Sequence, residues 1–221
     1  MTAPLALLAA LLAAPAAAGE LKFFDAEEIE TLDVRAQKGP LELEAGTPEI
    51  RVEVTGNADP AECLVEITRK GSRLIIEAKN PRRRFWEKDS CEAGFRVEGP
   101  SRLAVKAGTG VGTVKASGWS GPAEIESGVG SVELADMGST IRVRVGVGDA
   151  RLRWTKAPVR GSVELTTGVG DAEIRLPKES QADAELSTGL GLTVREGKQD
   201  PKAGLKLALN SGVGDVAIRT R

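Results

Sequence analysis

The sequence predicts an all-β protein: a single parallel β-solenoid (β-helix-like) with Gly-Val-Gly(-Asp) corners about every 20 residues, preceded by more irregular N-terminal strands. Three observations carry this prediction. One tripeptide recurs through the C-terminal half, strict period-two apolar alternation flanks it, and the outward charges change sign from one repeat to the next. Composition agrees, since 26 glycines and 41% hydrophobic residues in 221 suit a folded, turn-rich chain. Lys+Arg 30 against Asp+Glu 32 leaves a net charge of −2, which argues against nucleic acid as a partner. With no histidine, Ser-His-Asp and Cys-His machinery is excluded and the commonest neutral metal ligand is missing.

Residues 1–18 read as a signal peptide. They carry no charged side chain, run apolar from Leu5 to Ala14, and end in Pro15 and Ala16-Ala17-Ala18, an A-x-A cleavage signature. The first four residues lack the usual Lys or Arg, and the alternative is a retained anchor of just spanning length. No cysteine follows the apolar run, so a lipid anchor is not expected. Residues 19–100 read as an N-terminal β region with a disulfide and a basic loop, continuous with repeats over 101–221. Export favours a Cys63–Cys91 bond, and the phase agrees. Cys63, Val65 and Ile67 share one strand face, and Cys91, Ala93, Phe95 and Val97 another. The rival is a pair of free thiols, with no histidine to activate either.

The tripeptides are Gly110-Val-Gly112, Gly128-Val-Gly130, Gly146-Val-Gly148, Gly168-Val-Gly170, Gly189-Leu-Gly191 and Gly212-Val-Gly214. Apolar residues stand three and five positions ahead of each, as in Ala107 and Val105 or Leu165 and Val163. They resume two and four positions after most, as in Val132 and Leu134 or Val216 and Ile218. Period two means strands with one buried face, and a one-residue slip in parity marks each glycine pair as a corner. The fifth repeat departs, because Leu192 and Val194 are out of phase; a bulge or missing residue is expected there. The charges choose between hairpins turning at each corner and stacked repeats. Lys106, Glu124, Arg142 and Glu164 alternate in sign between repeats, as do Lys115, Glu133, Arg151 and Glu173, yet both arms of one repeat match. Stacking sets opposite charges side by side, whereas hairpins would pair like charges. Glu164 followed by Glu185 breaks the ladder.

Thr167-Gly168-Val169-Gly170-Asp171-Ala172 and Ser211-Gly212-Val213-Gly214-Asp215-Val216, with looser copies at 109–114, 127–132 and 145–150, carry a resemblance. The chain resembles the bacterial putative-adhesin family of β-strand-repeat proteins of unknown function, whose repeats read S/T-G-x-G-D-[VI]. The segment Leu41–Val54 is similar to the family's opening strand pair. The resemblance covers most of the chain after residue 18. It implies a β-helix-like, exported, non-catalytic protein, and brings no functional residues with it.

Asp149, Asp171 and Asp215 supply one carboxylate per corner, too few for the six to eight oxygens of calcium, so they read as turn caps. Gly108–Gly112 lacks the GK[ST] ending of a phosphate loop. No cofactor, metal or catalytic residue is expected. One segment lies outside the repeat logic: Arg82, Arg83, Arg84, Phe85 and Trp86 form a candidate surface contact, or else a solvated loop whose aromatics cap the core. Trp119 and Trp154 are expected to pack. The reading is therefore a periplasmic or secreted structural or adhesin-like interaction protein of a bacterial cell envelope. Its expected partner is an envelope protein or glycan, with no stable membrane insertion once the signal is cleaved. The alternative is a polysaccharide-binding or polysaccharide-cleaving β-helix protein, a class that needs converging carboxylates or a calcium-assisted base.

Overall fold

Among the described residues of the computed structural model (19, 21–57, 63–80 and 91–220), twenty strands form two ten-stranded sheets closed over one apolar core. The N-terminal strands are β1 (Leu21–Phe24), β2 (Thr31–Lys38), β3 (Leu41–Ala45), β4 (Ile50–Asn57), β5 (Leu64–Lys70), β6 (Arg73–Lys79) and β7 (Glu92–Gly99). Each repeat then gives one strand to each sheet: β8 (Ala104–Val111) with β9 (Val114–Ser117), β10 (Ala123–Val129) with β11 (Val132–Ala135), and β12 (Thr140–Val147) with β13 (Ala150–Arg153). They continue as β14 (Gly161–Val169) with β15 (Ala172–Leu176), β16 (Gln181–Leu190) with β17 (Thr193–Arg195) and the short β18 (Lys198–Gln199), and β19 (Leu205–Val213) with β20 (Val216–Thr220). The period-two residues form the core: Val105, Ile125, Val143 and Leu165 are buried from one sheet, and Val114, Val132, Ala150 and Ala172 from the other.

The expected single parallel solenoid is corrected. The first sheet runs β1-β4-β7-β3-β9-β11-β13-β15-β20-β17 and the second β18-β16-β19-β14-β12-β10-β8-β2-β6-β5, and both are mixed. Strands β1, β4 and β7 pair antiparallel, as do β5 and β6. Chain order also fails at both ends. The β2/β3 unit lies between β6/β7 and β8/β9, and the sixth repeat, β19/β20, lies between β14/β15 and β16/β17.

The second displacement has a physical reason. An inner layer must fill both neighbours, and the sixth repeat buries Leu205, Leu207, Leu209, Val216 and Ile218. The fifth offers Ala182, Ala184 and a half-buried Leu186, then sets Thr193 and Arg195 opposite Val216 and Ile218. Such a layer is tolerable only at an edge. The exchange also removes a charge conflict, because Ala208 stands between Glu164 and Glu185, so the two carboxylates are not neighbours. The expected bulge is absent: Leu190 faces Val213 and Thr193 faces Val216, in step with the neighbouring repeat. What changes is facing, with Leu192 and Val194 at the outward positions.

Within the parallel part the charge ladder forms as expected. Lys106, Glu124, Arg142 and Glu164 are successive partners. Lys106 Nζ lies 2.8 Å from Glu124, and Arg142 Nε lies 2.9 Å from Glu164. Cys63 and Cys91 are disulfide-bonded with Cα atoms 4.6 Å apart, tying the start of β5 in one sheet to the start of β7 in the other. Trp119 and Trp154 are both buried, and the Trp154 indole donates to the Met137 carbonyl at 2.7 Å.

Candidate functional site

The Gly-Val-Gly corners line up into one continuous edge where the chain passes from the second sheet to the first. Both glycines of each corner approach the next layer too closely for any side chain. A Cβ on Gly146 would sit 2.5 Å from the Gly128 carbonyl oxygen, and one on Gly148, at φ +133°, 2.0 Å from that of Gly130. The corners are locked by Gly130 N–H donating to Val147 O, Gly148 N–H to Val169 O and Gly170 N–H to Val213 O, each at 2.8 Å. Beneath them, buried hydroxyls donate to glycine carbonyls, as from Thr167 and Ser211 to Gly170, each at 2.8 Å. Val145 breaks this column of hydroxyls.

The residue between the glycines therefore points outward with no flanking side chain. Val111, Val129, Val147, Val169, Val213 and Leu190 are successive partners across the layers. The valines are 45–49% exposed and Leu190 70%. At a strand spacing of about 4.8 Å this makes a straight apolar ridge roughly 24 Å long, on the scale of the largest apolar patch of a typical monomer, about 300–600 Å² and often functional. Beside it runs the aspartate column. Asp149 accepts from the Asp171 N–H at 3.0 Å, Asp171 from the Asp215 N–H at 2.8 Å, and Asp215 from the Leu192 N–H at 2.8 Å. These carboxylates cap the backbone of the neighbouring layer, the turn-capping role expected for them. Leu192, 68% exposed in the position of an aspartate, widens the ridge at its end.

The outer face of the second sheet carries an open groove of about 910 Å³, floored at Gly108 and lined by Asp33, Arg35, Lys106, Glu126 and Arg144. Its charges satisfy one another: Arg35 Nε lies 2.8 Å from Asp33, and Arg144 lies 3.2 Å from Glu126. The hydrogen bond from Lys106, then its charge and those of Arg142 and Arg144, hold the Glu124 carboxyl below the usual glutamate range. The bond and charge of Asp33 push the Arg35 guanidinium up. Each of these ions is held by a neighbour rather than aimed at a common point.

Among known proteins, no family model matches the chain, and no curated protein does. Solved structures share its fold. A putative cell adhesion protein from Clostridium sporogenes superposes with a TM-score of 0.51 at 15% identity, over 91% of this chain and 98% of that one. A putative adhesin from Bacteroides fragilis gives 0.50 at 14% identity, over 94% and 99%. The fold is thus one found in bacterial proteins described as adhesins.

Of the sequence-predicted site residues, Cys63 and Cys91 are brought together. Arg82, Arg83, Arg84, Phe85 and Trp86 lie outside the described residues, as does the signal segment 1–18. Sequence reasoning missed the ridge. The available signal was a valine in five of six tripeptides, where an ordinary turn would admit polar residues. It also missed a further corner, Gln37-Lys38-Gly39, which extends the ridge with Lys38 beside Val111.

Proposed function

We propose that the chain is an exported, non-catalytic, adhesin-like interaction protein of a bacterial cell envelope, periplasmic or secreted, whose contact surface is the corner ridge. The observation that carries the reading is the row of outward valines, kept bare by glycines on both sides. The row exposes apolar surface that threonine, β-branched and equally suited to a strand, would not. The fold shared with bacterial proteins described as adhesins supports the reading, and the Cys63–Cys91 bond suits an oxidising compartment. Of the runner-up, a polysaccharide-binding or polysaccharide-cleaving protein, the cleaving half finds no support in the ion pairs of the 910 Å³ groove, where each carboxylate is engaged by a cation.

The test compares wild-type protein with Val129→Asp/Val147→Asp/Val169→Asp, immobilised on beads and presented with labelled bacterial envelope fragments. The three side chains are half exposed, so the variant should fold. Retention by wild type and its loss in the variant is the expected result. Equal retention by both removes the ridge from the reading, and no retention by wild type defeats the adhesin assignment.

A further inference from the structure

We propose that a cleft between three loops, at the end of the strands opposite the ridge, binds a segment of anionic polysaccharide. The cleft is a product of the displaced sixth repeat. The connection through Pro177–Ser180 passes from β15 to β16 beyond the place that β19 takes, and residues 200–204 lead back to fill it. Loop 154–160 meets the returning chain where the Gly161 N–H donates to the Gly204 carbonyl at 3.0 Å. Connections leaving in opposite senses open a crevice, the geometric reason that ligands gather where strand order reverses in open sheets. Here it measures about 550 Å³, within the range of ligand sites.

Its walls are fixed locally. The Asp200 carboxylate accepts from the Lys202 N–H at 2.8 Å, and the Pro177 carbonyl from the Ser180 N–H at 2.9 Å. Lys156, Arg160 and Lys202 line the cleft, and none of them pairs with a carboxylate among the described residues. This is unlike the strand faces, where Lys106, Arg142 and Lys206 each hold an acid within 3 Å. Of the two acids in the cleft, Asp200 is already engaged as a cap, which leaves Glu179. Three cations without a carboxylate partner lining one concave site suit carboxylate or sulfate groups. The Ser180 hydroxyl and Gln181 amide offer hydrogen bonds to sugar hydroxyls, and Val159, 85% exposed, an aliphatic wall. A concave site does not present its cations to a flat headgroup layer. Nor do loop walls supply the strand edge or deep apolar pocket with which peptides are usually held. The net charge of −2 gives the whole surface no general attraction for polyanions.

Titration calorimetry at low salt with oligogalacturonate (carboxylate only), dextran sulfate fragments (sulfate only) and polyglutamate (acidic peptide) tests the site on the full chain. Binding of either glycan is expected, and the arm that binds identifies the acid group. Lys156→Glu/Arg160→Glu/Lys202→Glu should weaken it at least tenfold and flatten its salt dependence. Lys70→Glu/Lys115→Glu/Arg153→Glu, with the same charge change elsewhere, should leave it nearly intact. Lys202→Gln alone should weaken it several-fold, so the test survives a poorly folding triple variant. The ridge variant should bind like wild type, which separates this site from the proposed function. The proposal is overturned if neither glycan binds at millimolar concentration, if only polyglutamate binds, or if the control triple loses as much affinity.

Discussion

Alanine at Gly148 places a methyl group 2.0 Å from the Gly130 carbonyl oxygen, on a residue whose φ is +133°. The first consequence is backbone strain of about 1–3 kcal/mol, because side chains avoid that region. The second is overpacking, about 1–3 kcal/mol more. Neither relaxes easily, since Gly148 N–H is held by Val169 O and Gly130 N–H by Val147 O, both at 2.8 Å. The expected loss is therefore about 2–6 kcal/mol, a large part of a domain's usual stability of about 5–15 kcal/mol. At roughly 2–4 °C per kcal/mol for a chain of this size, Tm should fall on the order of 5–20 °C. Urea unfolding followed through the buried Trp119 and Trp154 provides the assay. Val147→Thr, one residue away but half exposed, is the control and should stay within about 0.5 kcal/mol of wild type. A Gly148→Ala midpoint equal to that of the control would refute the close-approach argument, and with it the reason for the bare ridge.

Removing the crosslink with Cys63→Ala/Cys91→Ala should cost about 3–4 kcal/mol for the 28-residue separation; equal urea midpoints for the variant and the oxidised protein would contradict this. Glu124→Lys should cost under about 1 kcal/mol, more at low salt. Adding Lys106→Glu should restore only part of it, because position 124 still faces Arg142; identical stability of single and double variants across salt concentrations would sink the ladder as an energetic feature. Because Lys106 holds the folded Glu124 carboxyl below its ordinary range, its contribution is present above that range and lost as pH falls through and below it. Glu124→Gln should therefore shrink the gap to wild type as urea midpoints are taken from pH 7 down to pH 3, and a constant gap would count against the assignment.

The repeat region was largely legible because its determinants are local. Ile125, Val143 and Leu165 announce a buried face by spacing alone, and the Lys106–Glu124 pairing follows once strands are set parallel and in step. Layer order was not legible, because it depends on a competition between two repeats for one place. The clues were present in Glu164 against Glu185 and in Thr193 and Arg195 at inward positions, but each has meaning only relative to the sixth repeat. The β2/β3 layer escaped notice for a different reason. Leu32, Val34, Leu41 and Leu43 keep the phase of the repeats, yet the corner between them reads Gln37-Lys38-Gly39 and hides the match. The ridge escaped because alternation reports what faces inward and is silent at the corner itself.

The displaced sixth repeat has a consequence for the history of each molecule. Strands β16 and β17 leave the ribosome before β19 and β20, yet their lasting neighbour is the pair that follows them. In the interval, β14 offers β16 a ready edge of the same phase, so the wrong neighbour is available first. Docking there would set Glu185 directly against Glu164, and like charges on facing strands disfavour such a pairing. Side by side in that arrangement, the two carboxylates would bias the chain away from the early, non-native closure by roughly the 0.2–1 kcal/mol of a cross-strand pair. Two residues that never touch each other in the finished sheet can still bias the order in which it is assembled.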